Sequence, residues 1–240
     1  MRARYRASDG AVVDTTLERL TADEVVGGLP VREFRWRKGQ RHYSGWYWSS
    51  TVERLVAYES RLELARIMLA DFDTDVIAIV AQPFQLVGAD GARIRRHVPD
   101  LLLVDANGGA TVIDVKAPER KEDPEVQALF AWTRETVSTK GWGFEAWYGA
   151  DARLLANVRF LAGYRNRRLV DGELVPAVRD AAGEGTRIVD LERVLDAPGV
   201  LVRPAVLHLL WRGELVADLT GRTLDGMTIV RLGPGVGTAA

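Results

Sequence analysis

The sequence contains no cysteine, and this absence excludes several kinds of chemistry. Disulfide bonds, zinc sites with thiolate ligands and catalysis by a cysteine nucleophile all need a thiol, so none of them applies to this chain. Histidine is also scarce, because the 240 residues include only His42, His97 and His208. These three lie far apart in the sequence, so a histidine-rich metal site is not expected.

Long apolar runs are absent as well. No stretch approaches the roughly eighteen residues of a membrane-spanning helix, and the first residues, MRARYRASDG, lack the apolar segment of a secretory signal peptide. With 47% hydrophobic and 27% charged residues, the composition is that of an ordinary globular protein of one large or two small domains. We therefore expect a cytoplasmic protein with no membrane partner. Glycine-rich phosphate loops and G-x-S-x-G nucleophile motifs do not occur either.

The segment that carries the most chemistry is HVPDLLLVDANGGATVIDVKAP, residues 97–118. An apolar run and a run rich in β-branched residues flank Asn107-Gly108-Gly109, which predicts two strands joined by a turn. A three-residue turn centred on Asn107 sets Asp100 opposite Asp114, whereas a turn centred on Gly108 sets it opposite Lys116. In either register the two aspartates and the lysine share one face of the hairpin.

Adjacent aspartates repel each other unless a cation lies between them. Oxygen ligands suit a hard divalent metal, so the pattern favours Mg²⁺, with Mn²⁺ as a substitute. An alternative is that Asp114 and Lys116 are simply solvated neighbours on an exposed strand, where such a pair contributes little. The strand–turn–strand context, with a preceding helix that contains acidic residues, favours a site.

That preceding helix is predicted from a capping box at residues 50–53, after which apolar residues recur at three- and four-residue steps. A helix that is apolar nearly all round is buried, so its Glu59 and Glu63 need partners. Two interpretations are open. Arg66 forms an ion pair with one of the glutamates, or one glutamate binds a metal.

Later elements alternate between strand and helix patterns. The predicted strands are Val76–Val80, Phe84–Val87, Ile94–Val104, Ala110–Lys116 and Gly143–Tyr148. Helices are predicted from Asp123 to about Lys140 and from Ala152 to Tyr164. This order predicts an α/β fold, a mixed sheet with helices on its faces.

The composition changes after residue 170, where acidic, glycine and proline residues replace periodic apolar ones, so a domain boundary is predicted near 166–186. Beyond it, helices at Ile188–Leu195 and Val202–Trp211 precede a strand pair at Leu215–Leu219 and Met227–Leu232. That order is the outline of a small winged-helix-like module at residues 187–232. A module that serves DNA or partner contact and a layer that packs onto the core are both consistent with this pattern.

Residues 1–50 are predicted to form a basic and aromatic N-terminal arm, followed by a core at 51–168. Tryptophans and tyrosines in the arm are interleaved with the candidate DNA-binding residues Arg35, Arg37, Lys38 and Arg41. Such residues suit phosphate contact and base stacking, although the aromatics can equally pack on the core. His97 is a further candidate for phosphate contact, with capping of its strand as the alternative.

With a helix glutamate, Pro-Asp and Asp-x-Lys in this order, the chain resembles the PD-(D/E)xK nuclease superfamily. It resembles more closely the TnsA-like endonuclease subunits of heteromeric transposases. The resembling segments span most of residues 31–232 and include YESRLELARIMLADFD, IVAQPF, RRHVPDLLLV, VIDVKAP and VLHLLWRGELVADL.

The resemblance implies a restriction-endonuclease-like fold and a set of site residues. Its catalytic residues map onto Glu63, Asp100, Asp114 and Lys116, with metal bound by the three carboxylates and the carbonyl oxygen of Val115. Gln82 matches a Gln-Pro element without a stated role. This chain departs from the better-known branch of the family by carrying Asp114 where that branch has glutamine, which keeps a charged ligand.

The function that the resemblance implies is a Mg²⁺-dependent DNA endonuclease that cuts one strand at each transposon end. The implied partners are the double-stranded transposon ends, a DDE-type transposase that cuts the other strand, and an ATPase regulator, in the bacterial cytoplasm at the nucleoid. A free-standing restriction or repair nuclease is the alternative enzyme. A non-catalytic DNA-binding or assembly subunit is the alternative of another class.

Overall fold

The structure is a computed structural model that describes residues 1–32, 43–183 and 185–234. The chain divides into two compact units, one formed by residues 1–71 and 75–149 and the other by residues 72–74 and 150–240. Both units combine helices with β-strands, so the predicted α/β class is confirmed.

In chain order, the strands are β1 (Arg2–Arg6), β2 (Val12–Thr16), β3 (Gly45–Ser49), β4 (Arg54–Tyr58), β5 (Val76–Ala81), β6 (Gln85–Asp90), β7 (Arg93–His97), β8 (Leu101–Asp105), β9 (Ala110–Val115), β10 (Gly143–Trp147), β11 (Thr186–Arg187), β12 (Leu215–Val216) and β13 (Ile229–Leu232). The helices are α1 (Ala22–Val26), α2 (Arg61–Phe72), α3 (Pro124–Ser138), α4 (Ala152–Leu161), α5 (Leu174–Ala182), α6 (Ile188–Val194) and α7 (Gly199–Trp211).

Two four-stranded sheets form most of the first unit. The first sheet has the order β2-β1-β6-β7 and is antiparallel throughout. The second has the order β10-β9-β8-β5, in which β9 and β10 are parallel and the other neighbours antiparallel. The β6–β7 hairpin lies in the chain between β5 and β8, so the sequence leaves the second sheet, enters the first and returns.

The hydrophobic core of this unit draws on both sheets and on α3. Val80, Leu102 and Val112 from the second sheet cluster with Leu86 from the first and with Trp132 of α3. In each strand alternate residues face this cluster, because successive side chains of a strand point to opposite faces.

Residues 1–32 do not form the predicted arm. They contribute β1, β2 and α1, and five of their apolar side chains are buried in the core of the unit: Ala3, Tyr5, Leu17, Leu20 and Val25. The apolar residues of this region alternate with polar ones or occur singly. The sequence therefore shows no long periodic element here. The second half of the predicted arm includes β3, whose partner is β4.

Helix α2 begins at Arg61, and the helix start predicted at residues 50–53 is wrong. Residues 45–58 form the β3–β4 hairpin instead, with Glu53 in its turn at a φ of 48°. The helix cap is made ten residues later by Ser60, whose hydroxyl accepts a hydrogen bond from the Glu63 N–H at 3.0 Å. Ser50 lies in a chemically similar pattern, but its N–H donates to Asp71 at 3.1 Å.

The single strand predicted at Ile94–Val104 is two strands that belong to different sheets. β7 ends at His97 and β8 begins at Leu101, with Pro99 between them. Proline lacks the N–H that a central strand donates to its neighbour, so the ladder stops there. The crossing from one sheet to the other brings the last residue of β7 close to the first residues of β8.

The second unit holds α4 to α7 and a small sheet of order β11-β13-β12. Its boundary differs from the predicted one, because residues 150–168 group with this unit and not with the core. The predicted linker at 171–186 contains α5, in which Val178 and Ala182 are fully buried. The two predicted C-terminal helices and the antiparallel strand pair are present as α6, α7, β12 and β13.

Among the residues that the structure describes, none of the helices is both long and apolar enough to cross a lipid bilayer.

Candidate functional site

The β8–β9 hairpin sets the register of the candidate site. Leu101 pairs with Ile113 and Leu102 with Val112, and the Asp105 N–H donates to the Gly109 carbonyl at 2.9 Å. The turn is therefore centred on Asn107. Continued by one residue, this register sets Asp100 opposite Asp114, which is the first of the two predicted arrangements.

Asp100 immediately precedes β8, and one of its carboxylate oxygens is bound by the backbone of β9. Its Oδ2 accepts a hydrogen bond from the Val115 N–H at 2.7 Å. Loss of solvent, followed by the neighbouring charge of Asp114, raises the pKa of Asp100 to about 7. The charge of Lys116 lowers the pKa of Asp100, and the charge of Glu63 raises it. All three other predicted residues therefore lie close enough to Asp100 to act on its charge.

Asp114 is completely buried in β9, with 0% of its surface exposed. Its two carboxylate oxygens lie 2.9 and 2.8 Å from Nε2 of His97, so both accept from the same imidazole N–H. A buried carboxylate without a partner is costly, and His97 supplies that partner. The predicted role of His97 in direct DNA contact is not supported by this position, since its side chain is only 9% exposed and turned to Asp114.

Glu63 belongs to the first turn of α2, where it completes the helix cap. Its Oε2 accepts from the Glu59 N–H at 2.8 Å and its Oε1 from the Ser60 hydroxyl at 2.9 Å. Burial raises the pKa of Glu63, while these hydrogen bonds and the charge of Lys116 lower it. The carboxylate thus faces the positive end of its own helix and is also near Lys116.

The predicted ion pair between Arg66 and a glutamate of its own helix is wrong. Arg66 donates to both carboxylate oxygens of Glu145 on β10, at 3.2 and 2.8 Å. Glu59 lies 3.9 Å from Arg32 instead. Glu63 is therefore left without a salt bridge among the described residues, and the nearest cation that acts on its pKa is Lys116.

Lys116 directly follows β9 and is fixed through its backbone, whose N–H donates to the Trp147 carbonyl at 3.0 Å. The side chain is partly exposed. Its positive charge lowers the pKa of both Asp100 and Glu63. Lys116 is thus the cation shared by carboxylates from two different elements.

The carboxylates of this site match a divalent cation in chemistry but do not form a complete ligand set. In the described ranges no three carboxylate or imidazole side chains are arranged to hold one ion. The cause is visible in the contacts, because Glu63 is engaged at the cap of α2 and Asp114 at His97. Asp100 and Asp114 nevertheless suit a hard cation, since they are neighbouring desolvated carboxylates whose mutual repulsion raises the pKa of Asp100.

Gln82 belongs to the Gln-Pro element of the resemblance, but the sequence does not show what this residue does. It lies beyond the end of β5, where its N–H donates to the Asp100 carbonyl at 2.9 Å. Its φ is 47°, a left-handed value that is uncommon outside glycine, and its side chain is only 3% exposed. Its buried Oε1 accepts no hydrogen bond within the described structure. Backbone strain and an unsatisfied polar group therefore coincide next to Asp100.

Asp71, near the end of α2, is a second such residue. This carboxylate is 5% exposed and accepts from the Tyr47 hydroxyl at 2.8 Å, the Ser49 hydroxyl at 2.6 Å and the Thr51 N–H at 2.8 Å. It binds the β3–β4 hairpin to α2, the helix that carries Glu63. The sequence does not predict this role, because the hydrogen-bond partners of Asp71 lie about twenty residues earlier in the chain.

The predicted DNA-binding residues Arg35, Arg37, Lys38 and Arg41 lie outside the described residues. The carbonyl oxygen of Val115, predicted as a metal ligand, also stays a prediction. The backbone of this residue pairs with Trp147 of β10, and its N–H donates to Asp100.

Comparison with models of known protein families finds no match to the chain, and comparison with curated protein sequences finds none either. A function for this chain consequently has to be inferred from its residues and their arrangement.

Proposed function

We propose that this protein is a metal-dependent DNA endonuclease of the PD-(D/E)xK type, with its active site at Asp100, Asp114, Lys116 and Glu63. The observation that carries the proposal is the β8–β9 register, which sets Asp100 opposite the buried Asp114. The charges of Lys116 and Glu63 also act on Asp100, so the site draws on two strands and a helix. A buried acidic pair with one shared lysine is an arrangement that structural stability alone does not favour, because the carboxylates repel each other.

The order of elements around the site supports the restriction-endonuclease-like fold. A helix with the glutamate, α2, precedes the antiparallel strands β5, β8 and β9, and a crossover helix, α3, then leads to the parallel strand β10. This order is consistent with the mixed sheet flanked by helices that the resemblance implies, and the β6–β7 hairpin is inserted between β5 and β8.

The residues divide the chemistry of phosphodiester hydrolysis between them. Asp100 and Asp114 would hold a divalent cation, which when bound supplies charge stabilisation to the phosphate and acidifies water. Lys116 lies beside Asp100 and offsets negative charge as the phosphate reacts. His97 orients Asp114 through both carboxylate oxygens, as partners behind a metal ligand commonly do. Glu63 requires a change in its cap hydrogen bonds before it can join the ligands.

The more specific role, cleavage of one strand at transposon ends beside a DDE-type transposase and an ATPase regulator, follows from the TnsA-like resemblance. The C-terminal elements are consistent with it. Their order α5-β11-α6-α7-β12-β13, with β13 central in the small sheet, supports a winged-helix-like module. Helix α7 is buried at every residue from Ala205 to Trp211, so it is poorly suited to reading DNA, and we assign this module to partner contact or to structural support.

The test is a strand-cleavage assay with the 240-residue protein. Supercoiled plasmid and duplexes that carry transposon ends are incubated with Mg²⁺ or Mn²⁺, with and without a DDE-type transposase. We expect nicking by the wild type and a loss of at least about 100-fold in Asp100→Asn and Lys116→Met, since each change removes charge from the reacting site.

Glu145→Gln is the matched control, because it changes a carboxylate of the same sheet that is bound to Arg66 and lies outside the acidic pair. Its cleavage rate should stay within about twofold of wild type, as expected for a residue away from the reacting groups. Equal nicking by wild type and Asp100→Asn would show that Asp100 is not part of the active site. Tight DNA binding without nicking under every condition would favour the assembly-subunit alternative.

A further inference from the structure

The first sheet of the N-terminal unit has an outer face that the candidate active site does not use. Ala3, Tyr5 and Leu86 point to the core from this sheet, so the alternate residues of the same strands lie on the opposite face. That opposite face is rich in arginine. Its exposed arginines are Arg2 and Arg4 on β1 and Arg96 on β7.

Strand pairing brings these arginines together. Val87 on β6 pairs with Arg2 on one side and with Arg96 on the other, and Arg4 is paired with Gln85. The three arginines and Gln85 line a cavity of about 190 Å³. From the spacings of a β-sheet, Arg2 and Arg4 are about 7 Å apart along the strand, and Arg2 and Arg96 are about 10 Å apart across two strands.

The described residues neutralise only part of this positive charge. Arg4 is paired with Asp14, with contacts of 2.7 and 3.1 Å. Arg2 adds to the charges that lower the pKa of Asp14, after the hydrogen bond and charge of Arg4. Within the described ranges neither Arg2 nor Arg96 makes an ion pair or a side-chain hydrogen bond of its own, so one acid faces three cations.

The inner face of the same sheet is different. There Arg93 and Arg95 both bond to Asp90, and Arg95 also lies over the Trp132 ring with 5.9 Å between its guanidinium carbon and the ring centroid. These arginines have structural partners. The contrast within one strand, β7, indicates that the uncompensated charge of the outer face is not a general property of arginines in this sheet.

We propose that this outer face, defined by Arg2, Arg4, Gln85 and Arg96, binds the phosphate backbone of duplex DNA. Guanidinium groups pair with phosphate through parallel hydrogen bonds, and Gln85 adds a donor. The cavity on this face is lined mainly by charged and polar side chains of an exposed sheet surface. Cations spaced over about 10 Å suit an extended polyanion better than a small ligand, which usually occupies an enclosed and largely apolar pocket. The choice of DNA over other polyanions rests on the proposed nuclease function.

Two consequences define the site. Contacts to phosphate carry no sequence information, so this face binds DNA of any sequence. Arg96 and His97 are adjacent in β7 and lie on opposite faces, so DNA on this surface does not need the acidic pair or a metal. Binding through it should therefore be fully present in EDTA.

The experiment measures binding of a fluorescent duplex of about 25 base pairs by anisotropy, in EDTA, over a range of salt concentrations. We expect Arg2→Ala/Arg96→Ala to weaken binding about tenfold or more at about 0.1 M salt and to reduce the slope of log K against log salt by about 2. Both side chains are exposed, so the fold should be retained, which circular dichroism checks. Asp14→Asn, which frees Arg4, should tighten binding about two- to threefold.

The matched control is Arg19→Ala/Arg134→Ala, which removes the same charge from exposed positions outside the cavity. Equal weakening by the two double variants would overturn the proposal, because it would show a response to net charge alone. Binding of the wild type to phosphatidylserine vesicles in preference to DNA would overturn it as well. Cleavage is measured separately from binding. If the wild type cleaves DNA but both double variants bind it equally well, the proposed surface is wrong and the nuclease function stands. If DNA binding depends on Arg2 and Arg96 but no cleavage occurs, the surface stands and the nuclease function is wrong.

Discussion

Nε2 of His97 lies within 2.9 Å of both carboxylate oxygens of Asp114, although the two residues belong to different sheets. His97 ends β7 in the first sheet and Asp114 lies in β9 of the second. The contact is therefore a bridge between the sheets as well as a support for a candidate metal ligand. Its energetic importance can be measured directly, because Asp114 is completely buried.

We expect His97→Ala to lower the free energy of unfolding by about 3 kcal/mol, because it leaves a buried carboxylate unpaired. The double variant His97→Ala/Asp114→Asn should recover at least about 1 kcal/mol, since a neutral amide tolerates burial better. Urea unfolding of the single and double variants in EDTA gives the coupling energy. Strictly additive effects would mean that the imidazole does not stabilise the carboxylate.

Asp100 predicts a pH dependence of stability. Its pKa in the folded protein is raised from 3.8 to about 7, so the folded state binds its proton more tightly than the unfolded state. This contribution to stability is fully present below about pH 4 and is lost as the pH rises through about 7. The whole shift corresponds to about 4 kcal/mol, and partial exposure of the side chain reduces our expectation to about 1 to 2 kcal/mol.

The measurement is urea unfolding of metal-free wild type and Asp100→Asn between about pH 5 and about pH 8, which spans the range in which the folded-state proton is lost. The variant should gain stability relative to wild type as the pH rises. Asp14→Asn is the control, because that carboxyl is exposed and its hydrogen bond with Arg4 lowers its pKa. A difference between wild type and Asp100→Asn that stays constant with pH would contradict the raised pKa.

Gln82→Leu should stabilise the metal-free protein by about 1 kcal/mol. The change removes a buried Oε1 for which the described structure supplies no hydrogen-bond partner, and it keeps most of the side-chain volume. Gln85→Leu, a change of the same chemistry on a partly exposed side chain, should stay within about 0.5 kcal/mol of wild type. Thermal unfolding in EDTA compares the two. Destabilisation of Gln82→Leu by more than Gln85→Leu would show that the amide is satisfied in solution.

Asp71→Ala should cost about 3 kcal/mol or more, because the hydroxyls of Tyr47 and Ser49 and the backbone N–H of Thr51 lose their common acceptor. Asp14→Ala, which removes an exposed salt bridge, should have a far smaller effect. Equal losses in chemical unfolding would refute the anchoring role of Asp71. Loss of α2 packing would also disturb Glu63, so Asp71→Ala should reduce any nuclease activity.

The sequence predicts those elements whose signals are local. Asp123 caps α3 as expected, with its Oδ1 accepting from the Glu125 N–H at 2.9 Å, and proline occupies the first position of the helix. The β8–β9 hairpin is likewise predicted by its turn residues. Those residues allow two registers for the hairpin, and only the observed turn hydrogen bonds select the one centred on Asn107.

The incorrect predictions share one physical cause, which is that long-range contacts decide between local alternatives. Residues 50–53 match a capping box in sequence, but Asp71 takes the hydrogen bonds of Ser50 and Thr51 and holds this segment in a hairpin. Helix α5 lies in a stretch rich in glycine and acidic residues, and burial of Val178 and Ala182 stabilises it. His97 has no sequence signal for its partner, because the contact with Asp114 depends on two sheets meeting.

Strand β1 leaves the ribosome long before its partner β6, since Arg2 pairs with Val87. Until β6 has been synthesised, β1 and β2 form only a two-stranded hairpin, which is marginal in water. β7 can add to this sheet only after β6 has closed the long loop, and His97 reaches Asp114 only when β9 has also been made. The acidic pair is thus completed only once synthesis has passed β9, about halfway along the chain. Closure of the loop between β1 and β6 should limit the rate at which the first unit folds.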